Sequence, residues 1–184
     1  MLATSSTLTV RPAAPDDVPA ALALMMRVLD EDLGYGFRPE WHGDLADLAA
    51  AYLCTPGQAL FLAHDADGTL LGTTAIKVGG PRSPQVLVDH YAGRPVCQLA
   101  RVWVLREHRR RGAARALVAA ATRWAVTEGG HAVVCLHTDA AVDGAEAFWR
   151  SMPVREVLDE RVPGEAMQTI HFEVDVEAVL TSGR

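Results

Sequence analysis

The sequence predicts an α/β fold of the α+β kind: one mixed sheet with helices packed against it. Three stretches carry that prediction. Val96 to Val104 is an apolar strand that runs into a short basic loop and then an amphipathic helix ending at Gly129-Gly130, and a second valine-rich strand, His131 to Thr138, follows. Ahead of this unit, Ala59 to His64 and Thr69 to Val78 flank the tight turn Asp65-Ala66-Asp67-Gly68, a hairpin signal. Behind it, strands near Arg155 to Val162 and Met167 to Val174 meet at Pro163-Gly164.

Taken in order, Leu8 to Arg11 is a short strand candidate, and Pro12 to Asp17 turns into a helix. Asp16 or Asp17 can cap that helix, and Pro19 is tolerated in its first turn. Leu22, Met25, Val28 and Leu29 recur at helical spacing, and Gly34-Tyr35-Gly36 breaks the pattern. A second helix is expected from Pro39 to Leu53, with Leu45, Leu48, Ala49 and Tyr52 on one face and Thr55-Pro56-Gly57 at its end. Gly72, inside a strand, implies a bulge or a close backbone approach. Gly79 to Pro84 is a turn-rich loop, and Gln85 to Pro95 reads as a short strand and a loop over the sheet. The helix after the central strand should bury Leu117, Val118, Ala121, Trp124 and Ala125. Asp143 to Ser151 is a short helix carrying Phe148 and Trp149, and the tail Leu180 to Arg184 is expected to fray. The order is β-α-α-β-β-β-α-β-α-β-β. Its central crossover should be right-handed and join parallel neighbours, with a ligand at the carboxyl end of the first strand.

The length of 184 residues suits a single domain, taken as residues 1–184. With 49% hydrophobic and 22% charged residues, the chain can bury a sizeable core and is not disordered by composition. A net charge of −6 argues against nucleic acid as a general partner, so the basic loop is a local feature suited to a small polyanion. Cys54, Cys97 and Cys135 lie far apart in apolar surroundings and read as buried free thiols in a reducing compartment. No His/Cys/Asp cluster has metal-ligand spacing, so no metal is expected. No apolar run is long enough to span a membrane, and MLATSSTLTV lacks the basic and apolar regions of a signal peptide. A cytoplasmic protein with no membrane partner is the expectation.

The loop Arg109-Arg110-Arg111-Gly112-Ala113-Ala114 opens a helix. The first turn of a helix has unpartnered N–H groups, and its dipole favours negative charge. Gly112 permits a positive φ or a close ligand, and Ala114 keeps the first turn unobstructed. A pyrophosphate would fit there. Spacing alone leaves a second reading open, a solvated surface loop. The loop is neither a Walker motif nor a G-x-G-x-x-G fingerprint.

These residues resemble the GNAT superfamily of acyl-CoA-dependent N-acetyltransferases. The family loop Q/R-x-x-G-x-G/A is matched by Arg109-x-x-Gly112-x-Ala114. Leu99-Ala100-Arg101-Val102-Trp103-Val104 looks like the strand before it, Leu136-His137-Thr138 like the L-x-T after it, and Asp67-Gly68 to Gly72 like the family's hairpin. The resemblance spans Leu8 to Val174. It implies a GNAT-like mixed, mostly antiparallel sheet of about seven strands with a central parallel β-α-β unit and helices on both faces. It further implies acetyl-CoA as co-substrate and a small-molecule amine as acceptor, and it allows a homodimer. The backbone of Val102, Trp103 and Val104 would pair with the pantetheine arm and polarise the thioester. The amides of Arg109, Arg110, Arg111, Gly112, Ala113 and Ala114 would cradle the pyrophosphate, with Arg115 or the loop arginines reaching the phosphates.

Two positions depart from the family pattern. Gln98 stands where a glutamate base is common, and glutamine has no titratable proton. Trp149 stands where a tyrosine acid is common, and indole has no usable pKa. Both read more readily as structural, Gln98 hydrogen-bonded beside the sheet and Trp149 packed. His137, at a strand end near the slot, and His42, His90, Asp89 and Tyr91 are the substitute candidates for the missing acid–base groups, each histidine reading more readily as a surface or structural residue. Tyr35, Trp41, His42, Asp44 and Tyr91 are the acceptor-binding candidates, with Asp44 or Glu40 positioned to pair with an ammonium. The same departures leave a second reading, a non-catalytic acyl-CoA-binding or regulatory module. A third, nucleic-acid binding through Arg109 to Arg111, is opposed by the acidic total charge.

Overall fold

The structure, a computed structural model, describes residues 8–181. Seven strands form one sheet: β1 (Thr9–Pro12), β2 (Ala59–His64), β3 (Leu70–Val78), β4 (Val96–Val104), β5 (Val133–Asp139), β6 (Val154–Asp159) and β7 (Thr169–Val174). Their order across the sheet is β1-β2-β3-β4-β5-β7-β6. The β4–β5 pair is parallel, and the other five pairings are antiparallel. The expected fold class and central β-α-β unit are therefore present. Short turns allow antiparallel neighbours, whereas the parallel pair needs the crossover helix between its strands.

Six helices cover the sheet: α1 (Val18–Arg27), α2 (Pro39–His42), α3 (Gln85–Tyr91), α4 (Ala113–Thr127), α5 (Ala145–Arg150) and α6 (Val176–Thr181). On one face, α4 buries Leu117, Val118, Ala121 and Ala125 completely. They pack with Phe61, Ile76, Leu99, Leu136 and Phe172. Each large side chain so buried contributes roughly 1.5–3 kcal/mol. Trp124 is half-buried, its ring edge-on to Phe61 at 6.0 Å. On the opposite face, α1 and the segment 39–53 set Met25, Leu29, Leu45, Leu48 and Tyr52 on Leu60, Leu62 and Ala75.

The second helix is broken rather than regular. α2 gives way to a 3-10 turn at Gly43–Asp47 and a π turn at Ala49–Leu53. Leu45, Leu48 and Tyr52 stay buried, but the pitch changes beside Asp44, which is tied to Arg101 and Tyr52. The segment Gln85–Pro95 forms helix α3, not a strand. Leu87 and Tyr91, four residues apart, are 1% and 5% exposed and lodge on Val96, Val133 and Cys135. That tertiary contact selects a helical period from a stretch too short to display one. α6 was not anticipated either. Asp175 accepts the Ala178 amide at 3.0 Å and starts a helix that runs to Thr181; the rest of the tail lies outside the described residues. Cys54 is exposed, contrary to expectation, while Cys97 and Cys135 are buried, and burial pushes both thiols up to about 12. At Gly72 a Cβ would lie 2.5 Å from the Trp103 carbonyl oxygen, so the close approach is the operative constraint there. Among the described residues no helix is long and apolar enough to cross a membrane, and no group of three or more His, Cys, Asp or Glu could hold a metal.

Candidate active site

β4 organises the site. Its ladder with β3 slips opposite Thr73–Ala75, and Arg101 takes a φ of 54°, the signature of a bulge. Its ladder with β5 covers only Val96–Gln98 against Val133–Cys135. Beyond Gln98 the two strands part. The stretch that includes Val102, Trp103 and Val104 therefore pairs with β3 on one side and leaves its other edge open to a slot.

The basic loop closes the end of that slot. Arg110 and Gly112 adopt left-handed φ values of 62° and 85°, which swing the chain sharply into α4. Valine or any other branched residue at Gly112 would strain the backbone, although a Cβ there meets nothing within 4 Å. The first helical bond runs from the Ala116 amide to the Gly112 carbonyl at 3.0 Å, and no side chain caps this terminus. The amides of Gly112, Ala113, Ala114 and Arg115 thus lack intrahelical acceptors and suit an anion. Two of the arginines are committed elsewhere. Arg109 donates through Nε to the Val104 carbonyl at 3.0 Å and pairs with Asp32; Arg115 holds the Ser151 carbonyl and hydroxyl. Arg110 and Arg111 are exposed, with no side-chain partner among the described residues.

On the sheet face away from α4, a polar row crosses four adjacent strands. Lys77 of β3 lies opposite Gln98 of β4, and His137 of β5 lies opposite His171 of β7. With Gly79–Ser83, Glu160, Met167 and Thr169 they line a cavity of about 540 Å³. The size is in the range of small-molecule sites. Gln98 donates to the Gly79 and Gly80 carbonyls, each at 3.2 Å, and fixes the loop at the rim. His171 Nε2 meets Glu160 Oε2 at 2.5 Å, while its Nδ1 is buried without a partner. The rings of His137 and His171 are 5.8 Å apart. The His137 imidazole borders open space yet is hemmed in by the cavity walls. That desolvation, with the nearby His171, Arg101 and Lys77, holds its pKa below the ordinary value.

The other expected residues lie around this row. Asp44 is engaged by Arg101, which donates from Nε at 3.0 Å and from Nη2 at 2.5 Å, and by the Tyr52 hydroxyl. Burial raises its pKa, but Arg101 and Tyr52 outweigh that and bring it below the usual carboxylate range. Its carboxylate is a pin between the segment 39–53 and the β4 bulge, in place of the expected ammonium contact. His42 is 2% exposed and accepts the Arg38 amide through Nδ1. Tyr35 stacks on it at 5.8 Å, with Trp41 edge-on and Trp103 beneath. Tyr35 and Trp41 remain exposed, and this aromatic group roofs the bulge next to the cavity without lining it. Tyr91 is packed under α3, where Arg94 lies 5.6 Å over its ring. Trp149 is 6% exposed in the α4-side core, edge-on to Phe148 at 4.9 Å. Gln98 and His137 are thus brought together, and Trp149 and Tyr91 are apart from them.

Sequence reasoning missed Lys77, Glu160 and His171. One signal was present: in Thr169-Ile170-His171-Phe172-Glu173-Val174 polar and apolar residues alternate, which puts His171 and Glu173 on one face. The pairing that sets His171 beside His137 was not visible.

A sheet split beside an uncapped helix terminus, with a polar cavity at the fork, can seat an extended ligand with an anionic end. The sequence profile of the Acetyltransferase (GNAT) family matches residues 23–152, and the chain belongs to that family. Among curated protein sequences none matches the chain. Several solved structures share the fold. A GNAT-family acetyltransferase from Staphylococcus aureus Mu50 aligns with a TM-score of 0.69 at 12% identity, over 92% of this chain and 99% of that one. Spermidine N-acetyltransferase from Vibrio cholerae, in complex with CoA and spermine, gives 0.65 at 16% identity, over 94% and 98%. A GCN5-related N-acetyltransferase from Kribbella flavida gives 0.64 at 23% identity, over 90% and 95%.

Proposed function

We propose that this protein transfers an acetyl group from acetyl-CoA to a primary amine of a small molecule. One observation carries the reading: the β4–β5 fork opens at Gln98, with the uncapped α4 terminus beyond it and the cavity holding His137 beside it. The residues present fit the co-substrate. The amides of Gly112–Arg115 would hold the pyrophosphate, Arg110 and Arg111 would add charge, and the open edge of β4 at Val102–Val104 would hold the pantetheine arm. The co-substrate supplies an activated thioester. One β4 amide on the slot side stabilises negative charge on the reacting carbonyl oxygen. His137, its pKa held below the ordinary value, takes a proton from the acceptor's ammonium, and the neutral amine then attacks. His171, anchored by Glu160, backs the His137 ring. Gln98 orders the rim and moves no proton, and Trp149 belongs to the core, so the leaving thiolate draws its proton from solvent.

The test is release of CoA from acetyl-CoA over a panel of small amines, with binding measured separately by calorimetry. Gly112→Val should weaken coenzyme affinity by about tenfold or more, because the valine cannot hold the left-handed turn. Circular dichroism establishes that the variant is folded. Unchanged affinity in the folded variant would refute the coenzyme site. The core position of Trp149 favours one other reading, a module that binds acyl-CoA without turnover. Tight CoA binding with no turnover across the panel would select it.

A further inference from the structure

We infer that the acceptor is an amine that also carries an anionic group, a carboxylate being the simplest, rather than a polyamine. This deepens the proposed function and rests on the cavity being the acceptor site. The argument is one of charge accounting. Two cations line the cavity, Lys77 and Arg82. Neither has a hydrogen bond or ion pair with any side chain among the described residues. Lys77 rises from the sheet floor opposite Gln98, and it is only half-exposed. Asp44 is within electrostatic reach of Lys77 but bonded to Arg101, so this half-buried ammonium has no contact ion pair and gains from an anion placed against it.

The carboxylates nearby are partly engaged. Among the described residues Glu160 is the one acid lining the cavity, and its Oε2 is bound to His171 at 2.5 Å. Asp44 has both oxygens on Arg101, one of them shared with Tyr52. A polyamine would bring a second ammonium into a chamber where Lys77 and Arg82 outnumber the Glu160 carboxylate, at a Coulomb cost. An acceptor with a carboxylate at one end reverses the sign of that term. Its anionic end would sit between Lys77 and Arg82 at the Gly79–Ser83 rim, and its amine would lie toward His137 and the fork. Met167 gives the rim an apolar flank for a short aliphatic stem. The acceptor would thus be fixed in one orientation, amine first, by the charge at its far end.

Aminopentanoate, pentylamine and diaminopentane test this directly. They share a chain and a primary amine and differ only in ending as carboxylate, methyl or ammonium. Affinity is measured by calorimetry on protein saturated with CoA, and kcat/KM by CoA release from acetyl-CoA. The expected order in both is carboxylate, then methyl, then ammonium, with about tenfold between the first two, the size of one charge-assisted hydrogen bond. Lys77→Glu should invert the order of the charged pair, and Arg82→Ala should narrow the gap. Lys77→Met controls for loss of the side chain's packing: it should narrow the preference, as Arg82→Ala does, without inverting it. Diamine first in the parent protein, an order indifferent to Lys77→Glu, or no binding by any of the three would overturn the inference. The expected binding order without turnover would support it and would retire the transferase reading alone.

Discussion

The two faces of the sheet follow different rules. Toward α4, the β-strands present Phe61, Ile76, Cys97, Leu99, Val134, Leu136, Ile170 and Phe172, an apolar surface that spans five adjacent strands. Toward α1–α3, the same central strands present Lys77, Gln98, His137 and His171. Period-2 alternation assigns both surfaces at once, since each apolar residue turned to α4 turns its neighbour the other way. The first face is closed by one long helix. The second is covered in patches, by α1 with the segment 39–53 on one side and α3 on the other, and the polar row occupies the gap. At the central strands the apolar core under α4 and the polar row are therefore separated by the thickness of one strand.

Substitutions on the two faces should divide accordingly. His137→Gln should reduce kcat by about 10²–10⁴-fold, the usual contribution of a positioned base, with little change in the denaturation midpoint. In the parent protein kcat/KM should fall as pH drops through the His137 pKa, which lies below the ordinary value of 6.5. The protonated imidazole cannot accept the amine's proton, so the sign follows. That acidic limb should be lost in the variant; a retained limb and rate would remove His137 from the reaction. Asp44→Ala sits where the faces' rules meet. It leaves Arg101, with 13% of its side chain exposed, without its counter-ion and should cost about 3–5 kcal/mol in urea unfolding. A loss under about 1 kcal/mol would mean that the pin is not needed to hold the segment 39–53 on the bulge. Leu117→Ala, on the apolar face, should cost about 3 kcal/mol by opening a cavity under α4, with kcat per folded molecule nearly unchanged. An equal fall in kcat would show that the two faces are coupled.

Much of the strand–loop–helix unit was legible because its signals are local. Val96–Val104, Arg109–Ala114 and the stripe Leu117–Ala125 lie in one continuous stretch, and a helix terminus acts through its own backbone. Even there, side chains escaped the reading. Arg109 and Arg115 look identical to Arg110 and Arg111 in sequence, yet Asp32 and Ser151, far away in the chain, take them out of play. Of its other candidates the sequence supplied Gln98 and His137, which line the cavity, but also Tyr91 and Asp44, which do not. Tyr91 looked available because the helix that buries it was not recognised, and Asp44 because its partner is 57 residues away. Gln85–Tyr91 escaped as a helix since its two buried residues gain meaning only against Val96 and Cys135.

The sequence by itself determined the sheet's makeup, the parallel crossover, the basic loop at the head of the crossover helix and membership of a recognisable family. Alternation, turn chemistry and helical spacing all act within a few residues, so they are written in the linear chain. Only the tertiary structure decided which charges are spent and which are free. Lys77, Gln98, His137 and His171 come from four strands separated by up to 94 residues and meet through strand pairing alone. Ion pairing and burial act through space, and a local pattern carries no record of which partner arrives first.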